Sequence, residues 1–333
     1  MALRRCQFIL NADERGYLLS RHHGSKAREA ARRYAMVRYA LCIGINDYPG
    51  TDMDLAGCVN DANDWAAEFA ARGFDVTTLL DAQATKSEMQ RAMRDVIGKA
   101  RSGDLVAITF SGHGTYVYDT DSAAPPDNES DGFDEALCPH DVQATGDPLT
   151  DDEIHALFAA RPAGVRLLLI ADSCHSGTVS RVAASGLSHR RARKRFMPPS
   201  VWMSPAQRAL SAQAPSRRSG TYARASAFAL GVRSALAAAE SADGDATPAP
   251  LDDVLLSGCM EGKMNFSYDA VLDDRPNGAF TFYALKALRD LPPGSTYADW
   301  CATITPGFLP TTDYPQTPQI VAIDAAKRRA VLD

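Results

Sequence analysis

Short apolar runs alternate along this chain with longer stretches in which apolar residues recur every three or four positions. The apolar runs predict buried strands at residues 39–45, 74–79, 105–110 and 166–172. The periodic stretches predict amphipathic helices at residues 58–72, 85–97 and 151–160, the second with a capping-box start at Thr85 and Glu88. This alternation predicts an α/β fold with a mostly parallel central sheet flanked by helices.

The same pattern divides the chain into four regions. Residues 1–37 are polar and Arg-rich and form an N-terminal extension, and residues 38–178 form a large segment with the alternating elements. Residues 179–250 form a basic linker. Residues 251–333 form a small segment, with predicted strands at 253–259 and 319–323 and predicted helices at 280–288 and 297–304.

Composition excludes several classes of protein. The 333 residues are 45% hydrophobic, and no apolar run approaches the roughly 20 residues that a membrane span requires. The apolar residues 8–10 are followed at once by charged ones, so no signal peptide is predicted and we expect a cytoplasmic protein without a membrane partner. Seven scattered cysteines without a close pair argue against a disulfide framework and against a zinc site.

Charge is distributed unevenly. The net charge is -6, yet the stretch between Asp172 and Glu240 has no acidic residue and carries eleven Arg or Lys residues. A cationic segment can indicate nucleic-acid binding, but this one is rich in Pro, Ser and Ala with few aromatic residues between the charges. It predicts an exposed loop and no nucleic-acid partner.

Two of the predicted strands end in chemically active residues. The strand at 166–172 runs into Ser173, Cys174 and His175, and the strand at 105–110 runs into His113 between two glycines. Because the carboxyl ends of parallel strands meet at one edge of a sheet, we expect the thiol of Cys174 and the imidazole of His113 to lie close together. The pattern predicts a Cys-His hydrolase, with His175 as a supporting residue.

Several motifs together resemble those of the metacaspases, the caspase-like cysteine peptidases, and occur in the same order as in that family; the resemblance is to the bacterial type. The matching stretches are residues 40–46, 57–61, 111–114, 131–135, 149–153, 172–177, 256–259 and 314–319. The resemblance covers roughly residues 38–323. It implies a caspase-like three-layer sandwich and a cysteine endopeptidase.

The resemblance also implies a mechanism. Cys174 attacks the carbonyl of the bond to be cut, and His113 protonates the leaving amine and later activates water. The backbone N–H groups of Gly114 and Cys174 would stabilise the oxyanion. This chemistry requires no cofactor.

The resemblance places Cys58, Asp61, Ser111 and Asp172 in the pocket for the substrate side chain before the cut bond. Two carboxylates in a recess suit a guanidinium or an ammonium, so the expected partners are proteins or peptides with Arg or Lys at that position. The alternative for Asp61 is that it only favours the start of a helix.

Calcium is the ion that the resemblance implies as an activator in some members. The matching ligands are Asp134, Asp151 and Asp152, but a fourth family ligand falls at Arg181, which cannot bind a cation. A solvated acidic loop is the alternative, and Asp151 could also be a helix cap.

An Arg-specific peptidase with a basic loop next to its nucleophile is its own nearest substrate. We expect self-cleavage in the linker, at one of Arg190, Arg191, Arg193, Lys194, Arg195, Arg217 and Arg218. The alternative is that the loop docks over the pocket without being cut. We expect a monomer, and the rival function is that of a catalytically weak caspase-fold interaction or signalling protein.

Overall fold

A computed structural model describes residues 36–118, 133–174, 192–211, 253–259, 266–304 and 316–333. Residues 38–333 form one compact unit. The N-terminal extension lies outside the described residues except for its last two positions, so its role stays a prediction.

A six-stranded sheet is the centre of the fold, and its strand order is β12-β9-β7-β3-β1-β2. The strands are β1 (Arg38–Gly44), β2 (Asp75–Leu80), β3 (Leu105–Ser111), β7 (Arg166–Asp172), β9 (Val254–Ser257) and β12 (Gln319–Val321). Five of them pair in parallel, and β12 closes one edge antiparallel to β9. The predicted mostly parallel sheet is confirmed.

The longer helices match the periodic stretches of the sequence. They are α1 (Cys58–Ala71), α2 (Lys86–Lys99), α4 (Asp151–Ala159), α7 (Ala279–Asp290) and α8 (Tyr297–Ile304). Thr85 caps α2 by accepting a hydrogen bond from the N–H of Glu88, 3.3 Å away, as the capping-box pattern predicts. Each of these helices buries one apolar face, which explains why the periodicity located them.

Several short elements were not predicted. Two three-stranded sheets are formed by β4 (Gly114–Tyr118), β5 (Phe133–Leu137) and β6 (Leu149–Thr150), and by β8 (Ala192–Lys194), β10 (Tyr268–Leu272) and β11 (Arg275–Gly278). The short helices are α3 (Val142–Thr145), α5 (Pro199–Trp202), α6 (Pro205–Ser211) and α9 (Asp324–Lys327). Strands and helices of two to seven residues are too short to show a clear period.

The register of the central sheet positions the two reactive turns. β3 and β7 are buried along almost their whole length, and Ser111 at the end of β3 lies opposite Asp172 at the end of β7. The turns that follow therefore start side by side at one edge of the sheet.

None of the helices in the described ranges is long and apolar enough to cross a membrane.

Candidate active site

The first component of the site is the thiol of Cys174 and the imidazole of His113, which follow the ends of two paired strands. Cys174 and His113 follow the paired ends of β7 and β3, and both are buried. The His113 Nε2 atom lies 2.6 Å from the carbonyl oxygen of Met53. Because a carbonyl only accepts hydrogen bonds, Nε2 carries the proton and Nδ1 is the basic nitrogen. Nδ1 is buried and has no hydrogen-bond partner among the described residues.

The protonation state of His113 follows from its surroundings. Burial lowers the pKa of His113 from 6.5 to about 4, against the opposing effect of its hydrogen bond to Met53. The imidazole is therefore neutral near pH 7 and can accept a proton.

Tyr48 holds the His113 turn in place. Its hydroxyl accepts a hydrogen bond from the backbone N–H of His113 at 2.8 Å, and the centroids of the two rings lie 4.8 Å apart. No local pattern in the sequence marks Tyr48, because its contact with His113 spans 65 positions of the chain.

The second component is the chain's own residues 192–195, which lie across the cleft as an extended strand. β8 pairs antiparallel with β10, and the N–H of Arg195 donates to the carbonyl of Ser267 at 2.9 Å. The carbonyl oxygen of Arg195 accepts two hydrogen bonds, from the N–H of Gly114 at 3.0 Å and from the N–H of Cys174 at 3.1 Å. These two donors are the ones expected to form the oxyanion hole, and both point at one carbonyl next to the thiol.

The third component is a carboxylate pocket formed by Asp61, Asp172 and Asp269, which encloses the side chain of Arg195. Arg195 Nη2 lies 2.6 Å from Asp61 Oδ2 and 3.0 Å from Asp269 Oδ1, and Nη1 lies 3.1 Å from Asp172 Oδ2. The guanidinium is 0% exposed. Hydrogen bonds between such ionised partners are short and strong when water is excluded.

The pocket carries more negative charge than one guanidinium can balance. The pKa of Asp61 is raised to about 6, chiefly by burial and also by the nearby Asp172, against the opposing effect of Arg195. Loss of the Asp61 proton above pH 6 therefore strengthens the attraction between this carboxylate and the guanidinium of Arg195.

Neighbouring groups fix these carboxylates. Asp61 accepts hydrogen bonds from Asn277 Nδ2 at 3.0 Å and from the N–H of Gly278 at 2.9 Å. Asp172 accepts from the N–H and the hydroxyl of Thr281 at 3.0 and 2.8 Å. A Cβ atom at Gly278 would lie 2.1 Å from Asp172 Oδ2 and 2.5 Å from Arg195 Nη1, so only glycine fits there.

Of the four residues predicted for this pocket, Asp61 and Asp172 contact the guanidinium. Cys58 is buried at the start of α1 with its pKa raised by burial, and Ser111 is buried at the end of β3. Asp61 also lies in the first turn of α1, so its carboxylate is placed where it favours the start of the helix as well as in contact with the guanidinium. Asp269 was missed because it lies on the short strand β10, 97 positions after Asp172 in a different segment.

The structure corrects the prediction that the linker is an exposed loop throughout. Arg195 is buried in the carboxylate pocket, and Phe196 and Met197 are buried directly after it. Arg193 is exposed and Lys194 is half-buried with its Nζ 4.0 Å from the centroid of the Phe266 ring. The other predicted cleavage residues, Arg190, Arg191, Arg217 and Arg218, and the predicted supporting residue His175, lie outside the described residues.

The predicted calcium ligands fit a cation only in part. Burial raises the pKa of Asp151 well above its ordinary value, with further contributions from Asp152 and Asp134. Asp151 Oδ1 is buried without a hydrogen-bond partner in the described part of the chain, so a cation would relieve its charge. Over the same ranges, however, no three His, Cys, Asp or Glu side chains are grouped closely enough to hold a metal ion. The cap of α4 is Thr150, not Asp151.

The mostly parallel sheet, with a cysteine and a histidine after adjoining strand ends, agrees with the caspase-like fold that the sequence motifs predict. The insect caspase-1 of Spodoptera frugiperda shares this fold, with a TM-score of 0.50 at 12% identity over 86% of this chain and 89% of that chain. A crystal structure of a Geobacter sulfurreducens protein is more similar, with a TM-score of 0.59 at 29% identity over 89% of this chain and 98% of that chain.

Residues 38–183 match the model of the metacaspase, peptidase C14 domain. The chain is 32% identical over 270 residues to Metacaspase-1B of Aspergillus oryzae, an alignment that covers 77% of this chain and 61% of that protein. It is 39% identical over 153 residues to Metacaspase-7 of Arabidopsis thaliana, which covers 43% of this chain and 35% of that protein. The chain belongs to the metacaspase family, and it spans from about a third to three fifths of the length of these relatives.

Proposed function

We propose that the protein is a cysteine endopeptidase that cleaves after Arg or Lys, and that its first substrate is its own Arg195–Phe196 bond. One observation carries the proposal: Arg195 occupies the cleft as a substrate would. Its guanidinium lies among three carboxylates, and its carbonyl oxygen accepts the N–H groups of Gly114 and Cys174. Membership of the metacaspase family supports the peptidase activity.

In the proposed reaction, the Sγ of Cys174 forms a bond to the carbonyl carbon of Arg195. The oxyanion accepts hydrogen bonds from the two backbone N–H groups, which are already aimed at that oxygen. His113 takes up the thiol proton and passes it to the nitrogen of Phe196, so that the C–N bond breaks and a thioester remains. Water then hydrolyses the thioester, with His113 as the base.

The same pocket explains the choice of side chain. A buried carboxylate pair or triad left without a cation is costly, so an apolar residue before the bond would be rejected. Lysine fits the charge but lacks the planar fork that contacts three carboxylates, so arginine is the preferred residue.

Self-cleavage is tested by intact-mass analysis and N-terminal sequencing of the wild type after incubation at neutral pH, with and without calcium. We expect a fragment that begins at Phe196. Cys174→Ala should reduce its formation to less than about 1% of the wild-type rate, because no other group replaces the covalent nucleophile. Arg195→Ala should abolish this cut, whereas Arg193→Ala, which alters an exposed side chain in the same strand, should retain it.

The outcomes separate the alternatives. A wild type that stays uncut but hydrolyses arginyl peptides would mean that Arg195 only blocks the pocket. A wild type that does neither and fails to react with a thiol-directed arginyl probe would favour the interaction or signalling protein. Calcium activation, a cytoplasmic location and a monomeric state remain predictions from the sequence.

A further inference from the structure

The segment that follows the Arg195–Phe196 bond, residues 196–203, is held as firmly as the segment before it. Phe196 is 5% exposed, Met197 is 0% exposed and Trp202 is 3% exposed. The Trp202 Nε1 donates a hydrogen bond to Thr115 Oγ1 at 2.9 Å. Apart from the Phe196 nitrogen, this segment takes no part in the proposed chemistry, so its close fit calls for another explanation.

Backbone contacts fix the register of this segment. The N–H of Gly114 donates to the carbonyl of Arg195, and the carbonyl of Gly114 accepts the N–H of Met197 at 2.9 Å. Gly114 thus binds the chain on both sides of the bond, with Phe196 opposite it in a parallel bridge. Any extended substrate that uses the same contacts would place its first residue after the bond where Phe196 lies.

The position of Phe196 is an apolar recess. Its ring stacks on that of Tyr116, with centroids 6.1 Å apart and planes at 18°. It belongs to one buried cluster with Cys174, Cys259 and Phe266. Met197, the next residue, is enclosed in the main core cluster. Aromatic stacking and apolar burial both favour large apolar side chains at these two positions.

We infer that Tyr116 is a specificity-determining residue and that the cleft selects substrates on both sides of the cut bond. The preferred substrate is an extended protein segment with Arg or Lys before the bond, an aromatic residue directly after it and an unbranched apolar residue next. This inference rests on the proposed function and extends it to the side of the bond that the carboxylate pocket does not reach.

Two internally quenched peptides test the inference on the self-processed enzyme. Both carry Ala-Arg-Lys-Arg before the bond, and one continues with Phe-Met while the other continues with Gly-Ser. We expect kcat/KM to be about tenfold or more higher for the first peptide, because it buries one aromatic and one long apolar side chain. Tyr116→Ala should reduce the ratio to near 1, and Tyr116→Phe should restore it, since the ring and not the hydroxyl stacks on the substrate.

A third substrate, Ala-Arg-Lys-Arg-aminomethylcoumarin, has no amino acid after the bond and reports whether the enzyme is active at all. Failure to cleave it would count against the proposed peptidase function. Cleavage of the coumarin substrate together with equal rates for the two peptides, or with cleavage of neither, would overturn the inference. A ratio that survives Tyr116→Ala would remove Tyr116 from the recognition of the substrate.

Discussion

The two sides of the Arg195–Phe196 bond are held by different forces. Before the bond, strand pairing with β10 and three carboxylates hold Arg195, and each contact is a hydrogen bond or an ion pair. After the bond, Phe196 and Met197 are held mainly by apolar burial. Charged contacts depend on pH, whereas apolar burial does not change with protonation. The contacts before the bond and the contacts after it can therefore be altered independently.

The largest expected effect comes from removing one of the carboxylates that hold the residue before the bond. Asp269→Asn removes one of three carboxylates around the guanidinium. The N–H groups of Ala56 and Gly57 donate to the two different oxygens of Asp269 at 2.9 Å each, so the single amide oxygen of Asn keeps only one of these hydrogen bonds. We expect kcat/KM for arginyl-coumarin peptides to fall about 100-fold, equivalent to about 3 kcal/mol for one partner of a buried ion pair.

Asp324→Asn is the matched control, because Asp324 makes a surface ion pair with Lys327 and its side chain is 80% exposed. We expect it to leave kcat/KM within about twofold of the wild type. A fall of similar size in both variants, or none in Asp269→Asn, would contradict the assignment of Asp269 to the pocket.

A smaller effect is expected from pH. The pKa of Asp61 is raised to about 6, so kcat/KM for arginyl peptides should fall as the pH decreases through 6, where Asp61 gains a proton and the pocket loses negative charge. A second decrease is expected near pH 4, where His113 becomes protonated. Asp61→Asn should lower the plateau and remove the first decrease, while the second persists. A profile with the same inflection near 6 in wild type and variant would refute this assignment.

The smallest expected effect lies away from the cleft, at Asp151. Because its pKa is raised, the folded protein favours the protonated form of Asp151. Its contribution to the free energy of unfolding is therefore fully present below the ordinary pKa of 3.8 and is lost as the pH rises through the pKa of the folded state. At pH 7 Asp151→Asn, which resembles the protonated form, should raise Tm by a few degrees in EGTA.

Adding calcium makes this test more specific. If Asp134, Asp151 and Asp152 hold calcium, its addition should raise the Tm of the wild type and leave the Tm of Asp151→Asn unchanged, as measured by differential scanning fluorimetry. A lower Tm for the variant in EGTA would show that the buried carboxylate stabilises the fold by itself.

The central fold was predictable because its elements are long. The stretches that form β1, β3 and β7 are mainly apolar, and the capping pattern at Thr85 marks the start of α2. No strand was predicted at β4 or β5, since the five-residue strands of this partly buried hairpin have too little apolar periodicity to stand out.

The site was predictable where its residues follow a strand. His113 and Cys174 stand directly after β3 and β7, and parallel pairing brings such ends together. Asp269 and Gly278 carry no local signal, because their role depends on how the hairpin of β10 and β11 packs against α1 and β7.

By itself the sequence determined the parallel sheet and the thiol and imidazole at adjoining strand ends, and its resemblance to the metacaspases implied two of the three carboxylates around Arg195. Only the tertiary structure decided which basic residue of the linker enters that pocket. In the sequence, Arg193, Lys194 and Arg195 are equivalent cations in a segment without acidic residues. In the fold, pairing with β10 sets the register, so Arg195 alone of the three is fully buried among carboxylates and Arg193 faces solvent. The register depends on both strands, which lie far apart in the chain, so it cannot be deduced from the sequence of either strand alone.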